Sequence, residues 1–127
     1  MTQKKILLED FEKAILQLES ALKGAPDSDL EKAGCIQYFE FCFELAWKCI
    51  RTCSLEEGLA DCLSPKSCLK QAFTQNWIDD EAVWLAMLDS RNLMSHTYNA
   101  SRALVVYDSL ASYLPVFKNL LVVLKKR

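Results

Sequence analysis

One stretch constrains this chain more than any other. Between Ser28 and about Leu55 the polar residues Gln37, Glu40, Glu44, Lys48 and Arg51 keep to a narrow stripe at helical spacing. Ile36, Phe39, Phe43, Ala46 and Ile50 form an apolar seam, and Cys35, Cys42, Cys49 and Cys53 with Tyr38, Phe41 and Leu45 widen it. An ordinary surface helix hides one face only. This one must be buried on more than one side, and a chain of 127 residues has few elements to cover it. A second copy, paired by a two-fold axis, is the simplest further cover.

The flanking segments read as helices as well, with no convincing strand. Leu8, Phe11, Ile15, Leu18 and Leu22 alternate three and four apart, and Gly24 and Pro26 end that helix. Ser28 and Glu31 have the spacing of a capping box for the second helix. Ser64 and Pro65 start a short helix through Phe73, and Asp79, Asp80 and Glu81 put negative charge at the start of the fourth. The last helix begins near Asn99 or Ser101. Its stripe of Ala103, Tyr107, Leu110, Leu114, Phe117, Leu121 and Leu124 stays in phase across Pro115, which predicts a kink there. The expectation is an all-α, antiparallel four-helix up-and-down bundle with one short extra helix, residues 1–127 forming one domain.

Composition narrows the function classes. Hydrophobic residues make up 51% of the chain, which excludes a disordered protein, and 3 Gly with 3 Pro disfavour a turn-rich sandwich or barrel. A net charge of -2 gives no bulk attraction to nucleic acid, so any such contact must be local. Apolar runs stop at Lys118 and Lys125, too short to span a bilayer. Glu9, Asp10 and Glu12 follow the N-terminus closely, unlike a signal peptide, so the expected compartment is the cytoplasm. Residues seven apart on a helix, as Cys35, Cys42 and Cys49 are, stand about 10 Å apart along the axis, too far to bridge. With no C-x-x-C for zinc either, the 6 cysteines read as small core residues and no metal is expected.

The fourth helix changes character along its length. Leu85 and Leu88 begin an inward stripe whose next positions are Asn92, Ser95 with His96, and Asn99, while Asp89 lies beside them. A buried hydrogen-bonding group without a partner costs about 1–3 kcal/mol, so a run of them needs an internal network or a ligand. Both readings stand at this point. His96, the 1 histidine of the chain, comes with Arg91 and Tyr98: a group that titrates near neutrality, a permanent phosphate-binding fork and a hydroxyl.

The run Arg91-Asn92-Leu93-Met94-Ser95-His96-Thr97-Tyr98 resembles the R-x4-H-x-Y motif of HEPN domains that partner minimal nucleotidyltransferases. Phe39-Glu40-Phe41-Cys42-Phe43-Glu44-Leu45-Ala46-Trp47-Lys48 is similar to the second-helix signature of the nucleotidyltransferase substrate-binding protein family. Ser64-Pro65, Ala72-Phe73 and Trp84 through Met87 to Arg91-Asn92 continue the match over nearly the whole chain. The resemblance implies a HEPN-like bundle that forms a homodimer, pairs with a separate minimal nucleotidyltransferase and needs no cofactor. It implies binding of a nucleotide or RNA, with Arg91 and His96 as catalytic or RNA-binding residues and Asn92, Ser95 and Tyr98 around the substrate. Some relatives are metal-independent endoribonuclease toxins, silenced when the partner adds AMP to the motif tyrosine, here Tyr98.

Helical geometry sets a condition on either role. Residues five apart diverge by roughly 140° on a straight helix, so Arg91 and His96 of one chain point apart. Either the helix loosens near Ser95, or two copies complete the site. Trp47, Trp77 and Trp84 read as packing residues, and Glu44 with Lys48 as a solvated i,i+4 pair, or as part of a stripe facing a ligand or partner.

Overall fold

The computed structural model describes residues 2–96 and 100–127, in backbone only at 95, 96 and 100. Helix α1 spans Gln3–Lys23, α2 Asp29–Glu56, α3 Pro65–Thr74, α4 Glu81–His96, α5 Ala100–Val105 and α6 Leu110–Lys125. A 3-10 turn, Val106–Ser109, joins the last two. The starts follow local chemistry. Thr2 Oγ1 accepts from the Lys5 amide, Ser28 Oγ from that of Glu31, and Asp80 Oδ1 from that of Val83. Each satisfies a first-turn donor that has no partner inside its helix. The reciprocal box forms at Ser64 and Ser67, ahead of which Pro65 opens α3. Glu31 instead takes a 2.9 Å bond from the Ser28 hydroxyl.

Long-range contacts fix the directions of the four long helices. Lys118 pairs with Glu19 and Lys125 with Glu12, so α6 runs against α1. Phe39 meets Tyr113 while Glu57, just past α2, meets Arg127, so α2 and α6 run the same way. Ser90 lies against Tyr113 and Trp84 against Phe117, which sets α4 against α6. The result is the expected up-and-down bundle. Phe117, fully buried, sits at its centre. Its ring lies 6.1 Å from Phe11 of α1, 6.0 Å from Phe39 of α2 and 5.7 Å from Trp84 of α4, the first and last edge-on.

Two expectations need correction. The last helix, expected to run on from near Asn99 or Ser101, is interrupted by the 3-10 turn Val106–Ser109, while it continues through Pro115 as expected. Pro115 is the sixth residue of α6, so its missing N–H costs the bond to the Ala111 carbonyl, and the helix carries on past that loss. Gly24 caps α1 as expected, and the left-handed residue is the one after it, Ala25, with φ 51°. Finally, Cys35, Cys42, Cys49 and Cys53 are buried thiols as expected, but Cys62 and Cys68 form a disulfide. It ties the loop after α2 to the first turn of α3, so these two cysteines, buried in the core like the others, also serve as a staple. The same loop is held by Arg51 Nε and Nη2 on Asp61, at 2.7 and 2.8 Å. Among the described residues no helix is long and apolar enough to cross a membrane.

Two measurements check this packing. Phe117→Ala is expected to lower unfolding free energy by about 3–5 kcal/mol in urea titrations, with Phe117→Leu costing clearly less. Burial pushes the Cys42 and Cys49 thiols up to about 12. A thiol reagent at pH 8 should therefore leave both unlabelled in native protein and modify them only once denaturant opens the bundle.

Candidate functional site

The site is built where the C-terminal half of α4 crosses α2. Trp84, Met87 and Leu88 are buried, and Arg91 takes the next place on that inward stripe, seven after Trp84 and four after Met87. The core thus ends in a guanidinium, half-buried at the edge of the bundle. Asn92, expected on the stripe, is exposed, as is Leu93 at 39%. Helix periodicity explains the difference: one residue's rotation of about 100° turns Asn92 outward once Arg91 points in.

Arg91 meets the polar stripe of α2. Its Nη2 lies 2.6 Å from Glu44 Oε1, and its Nη1 donates to Asn92 Oδ1 at 3.2 Å. The second Glu44 oxygen accepts from the Trp47 indole N–H at 3.1 Å. Both carboxylate oxygens are therefore engaged, and a bulky side chain three residues on fixes the rotamer. Glu40, one turn before Glu44, is half-buried in the same group. Burial pushes its carboxyl above the usual carboxylate range; Arg91 pulls the other way, and the neighbouring charge of Glu44 adds to the rise. Two carboxylates thus surround one guanidinium.

The pair's exposure decides what it is for. The Arg91 and Glu44 side chains are 30% and 34% exposed, so solvent screens the attraction and the pair adds roughly 0.2–1 kcal/mol to stability at most. Its consequence is positional: it dictates where the guanidinium points. Glu44 is accordingly not paired with Lys48, and Trp47 is a hydrogen-bond donor as well as a packing residue. Trp84 and Trp77 are buried packing residues as expected. Sequence reasoning placed Glu40 and Glu44 on one stripe but had no signal for their partner, because Arg91 lies on another helix.

The remaining motif residues are only partly in view. The backbone of α4 is regular through His96, so the helix does not loosen near Ser95. Positions 91 and 96 therefore stand roughly 140° apart around its axis. The side chains of Ser95 and His96, and Tyr98 entirely, lie outside the described residues. Beside the acidic stripe, α2 carries a second, apolar strip that is partly exposed. Phe41 is 45% exposed, Tyr38 and Leu45 are half-buried, and the Tyr38 and Phe41 rings meet edge-on at 6.3 Å.

Comparison with known proteins bears on this arrangement. Residues 7–126 match the family described as nucleotidyltransferase substrate binding protein like. A Haemophilus influenzae protein named probable ribonuclease HepT is 33% identical over 99 residues, which are 75% of this chain and 68% of that protein. A Thermus thermophilus protein of known crystal structure superposes with a TM-score of 0.81 at 28% identity, over 90% of this chain and 98% of that one. A Haemophilus influenzae structure, described as revealing the fold of a substrate binding domain of a nucleotidyltransferase, gives a TM-score of 0.79 at 29% identity, over 93% of this chain and 98% of that one. A family pattern that runs from α1 to the end of α6, on helices laid out as in these structures, makes this chain a member of the nucleotidyltransferase substrate-binding protein family.

Proposed function

We propose that the chain, residues 1–127 acting as one domain, is the homodimeric substrate-binding subunit of a separate minimal nucleotidyltransferase. It works in the cytoplasm and holds the phosphate of a nucleotide or an RNA between Arg91 and His96 of paired copies, with Asn92, Ser95 and Tyr98 around it. The observation that carries this reading is the regularity of α4 through His96. One chain cannot gather a guanidinium and an imidazole that diverge around a straight helix, whereas two chains related by a two-fold axis bring two of each to one cleft. The partly exposed strip of Phe41, Tyr38 and Leu45 lies next to the Arg91 stripe and suits that contact.

A second reading is favoured by the name of the Haemophilus influenzae relative, probable ribonuclease. In it the paired motifs cleave RNA without a metal. One His96 takes the proton of a 2′-hydroxyl, whose oxygen attacks the adjacent phosphorus. The other His96 protonates the departing 5′-oxygen, and Arg91 bears the charge that builds on the phosphorane. The product is a 2′,3′-cyclic phosphate and a free 5′-hydroxyl. AMP placed on Tyr98 by the partner would then silence the toxin by filling the cleft with a bulky anion.

Expression of wild type and of His96→Ala, each without a partner, separates the two. Growth arrest and RNA breakdown with wild type only would establish the nuclease. Equal harmlessness, with co-purification of a nucleotidyltransferase, would leave the substrate-binding subunit. Mass spectrometry of Tyr98 after incubation with partner and ATP tests the modification.

Two further outcomes are expected. Phe41→Asp should convert a dimer to a monomer in light scattering and weaken RNA binding with it; a wild-type monomer at micromolar concentration would sink the shared cleft. Because burial holds the Glu40 carboxyl above ordinary carboxylates, acidification toward the carboxylate range neutralises it ahead of exposed Asp and Glu and removes one of the two negative charges beside Arg91. Affinity for RNA should rise over that range, and Glu40→Gln should remove this part of the rise in a His96→Ala background, where the imidazole no longer contributes.

A further inference from the structure

A phosphate-binding arginine is most effective when its fork faces the ligand. In this structure the fork of Arg91 faces protein. Glu44 stands 2.6 Å from Nη2 and the Asn92 carbonyl oxygen 3.2 Å from Nη1. Glu44 in turn is no loose surface carboxylate. It projects from the middle of α2, between the fully buried Phe43 and Ala46, and the Trp47 indole N–H holds its other oxygen. Glu40 stands one turn away on the same stripe and adds a second negative charge. Two carboxylates, Glu44 in contact and Glu40 one turn away, thus stand against the guanidinium of Arg91.

We infer that Glu44 is a specificity-determining positioning residue: it latches Arg91 until a phosphate seated in the cleft displaces its carboxylate from the guanidinium. This rests on the reading of Arg91 as the phosphate-binding group of the site. The chemistry is an exchange of acceptors. The Arg91 N–H donors pass from a carboxylate oxygen to a phosphate oxygen, with no proton transferred and no charge created. A passing stretch of RNA backbone offers only the phosphate and must meet the cost of releasing Glu44. A substrate with further contacts in the cleft supplies the surplus needed to open the latch. The device therefore discriminates against indiscriminate RNA binding, which a bare arginine would promote. Trp47 keeps its bond to the second oxygen, so Glu44 has only to give up the guanidinium and not its rotamer.

The latch has a signature in salt dependence. When phosphate displaces Glu44, the freed carboxylate stays beside the RNA and offsets part of the positive charge that Arg91 brings, so fewer RNA counterions are released. Removing its charge restores that release. The experiment uses the full chain and a mixed-sequence 12-nucleotide single-stranded RNA with 2′-O-methyl groups to block cleavage, its binding followed by anisotropy at several salt concentrations. Glu44→Gln should bind about three- to tenfold more tightly near 0.1 M salt, with a log–log slope steeper by about 0.7. Weaker binding by a folded Glu44→Gln protein, or an unchanged slope, overturns the latch.

Arg91→Ala serves as the separate control on the site itself. If it leaves RNA binding unaltered, the phosphate-site reading fails and the latch with it; if it weakens binding while Glu44→Gln does not tighten it, only the latch fails. Should Glu44→Gln not fold, the wild type still decides. In a 1H–15N spectrum, with Trp47→Phe assigning the resonance, the Trp47 indole signal must move as RNA is added. An indole signal that stays fixed at saturation overturns the proposal.

Discussion

Four helices meet on one ring. Phe117 touches Phe11, Phe39 and Trp84, so each long helix is registered against the others through a single buried side chain. Edge-on contacts at 6.1 and 5.7 Å let the electropositive rim of one ring approach the electronegative face of the next, and this makes the packing directional where aliphatic contacts are not. Registering α4 against α2 is what matters for the site. Phe43 and Trp84, whose rings lie 6.5 Å apart, set the axial level at which the two helices cross. Arg91, two turns on from Trp84, then reaches the acidic stripe of α2 at Glu44, the residue next to Phe43.

Around α2 three zones follow one another. One sector is core, filled by Phe39, Phe43, Ala46 and Ile50 and by thiols whose burial makes them unreactive. The next is the acidic stripe of Glu40 and Glu44, with Trp47 and Arg51, that receives Arg91 on one level and Asp61 on another. The third is the partly exposed strip of Phe41, Tyr38 and Leu45. A core, a charged seam and a partly exposed apolar strip in this order put the guanidinium beside an apolar surface. The ion pair contributes little stability, so its place at the seam serves aim and selectivity more than folding.

Much of the bundle was legible because it depends on local periodicity. The seam of α2 and the stripe of α1 are both buried as their spacing predicts, apart from a half-buried Leu22. The motif at Arg91 was legible too, since a rare residue combination at fixed spacing stands out in a single string. What escaped were features decided by partners far along the chain. Pro115 drew attention as the irregular point of the last helix, yet the 3-10 turn that interrupts it lies upstream, at Val106–Ser109 between α5 and α6. Asn92 looked inward until the packing of Trp84 and Met87 turned Arg91 there instead. Cys62 and Cys68 carried no helical pattern, and only the return of the chain into α3 brings them together.

The sequence by itself determined that this is a bundle of helices, where most of them start, and which residues form the R-x4-H-x-Y motif. These are matters of hydrogen bonding and apolar spacing within a few turns, which neighbouring residues settle among themselves. Only the tertiary structure decided that Arg91 faces Glu44, that Glu44 leans on Trp47, and that Phe41 stays partly exposed. Those contacts depend on the level and rotation at which two helices cross. That crossing is set by the shapes of buried rings acting together, and no local pattern encodes it.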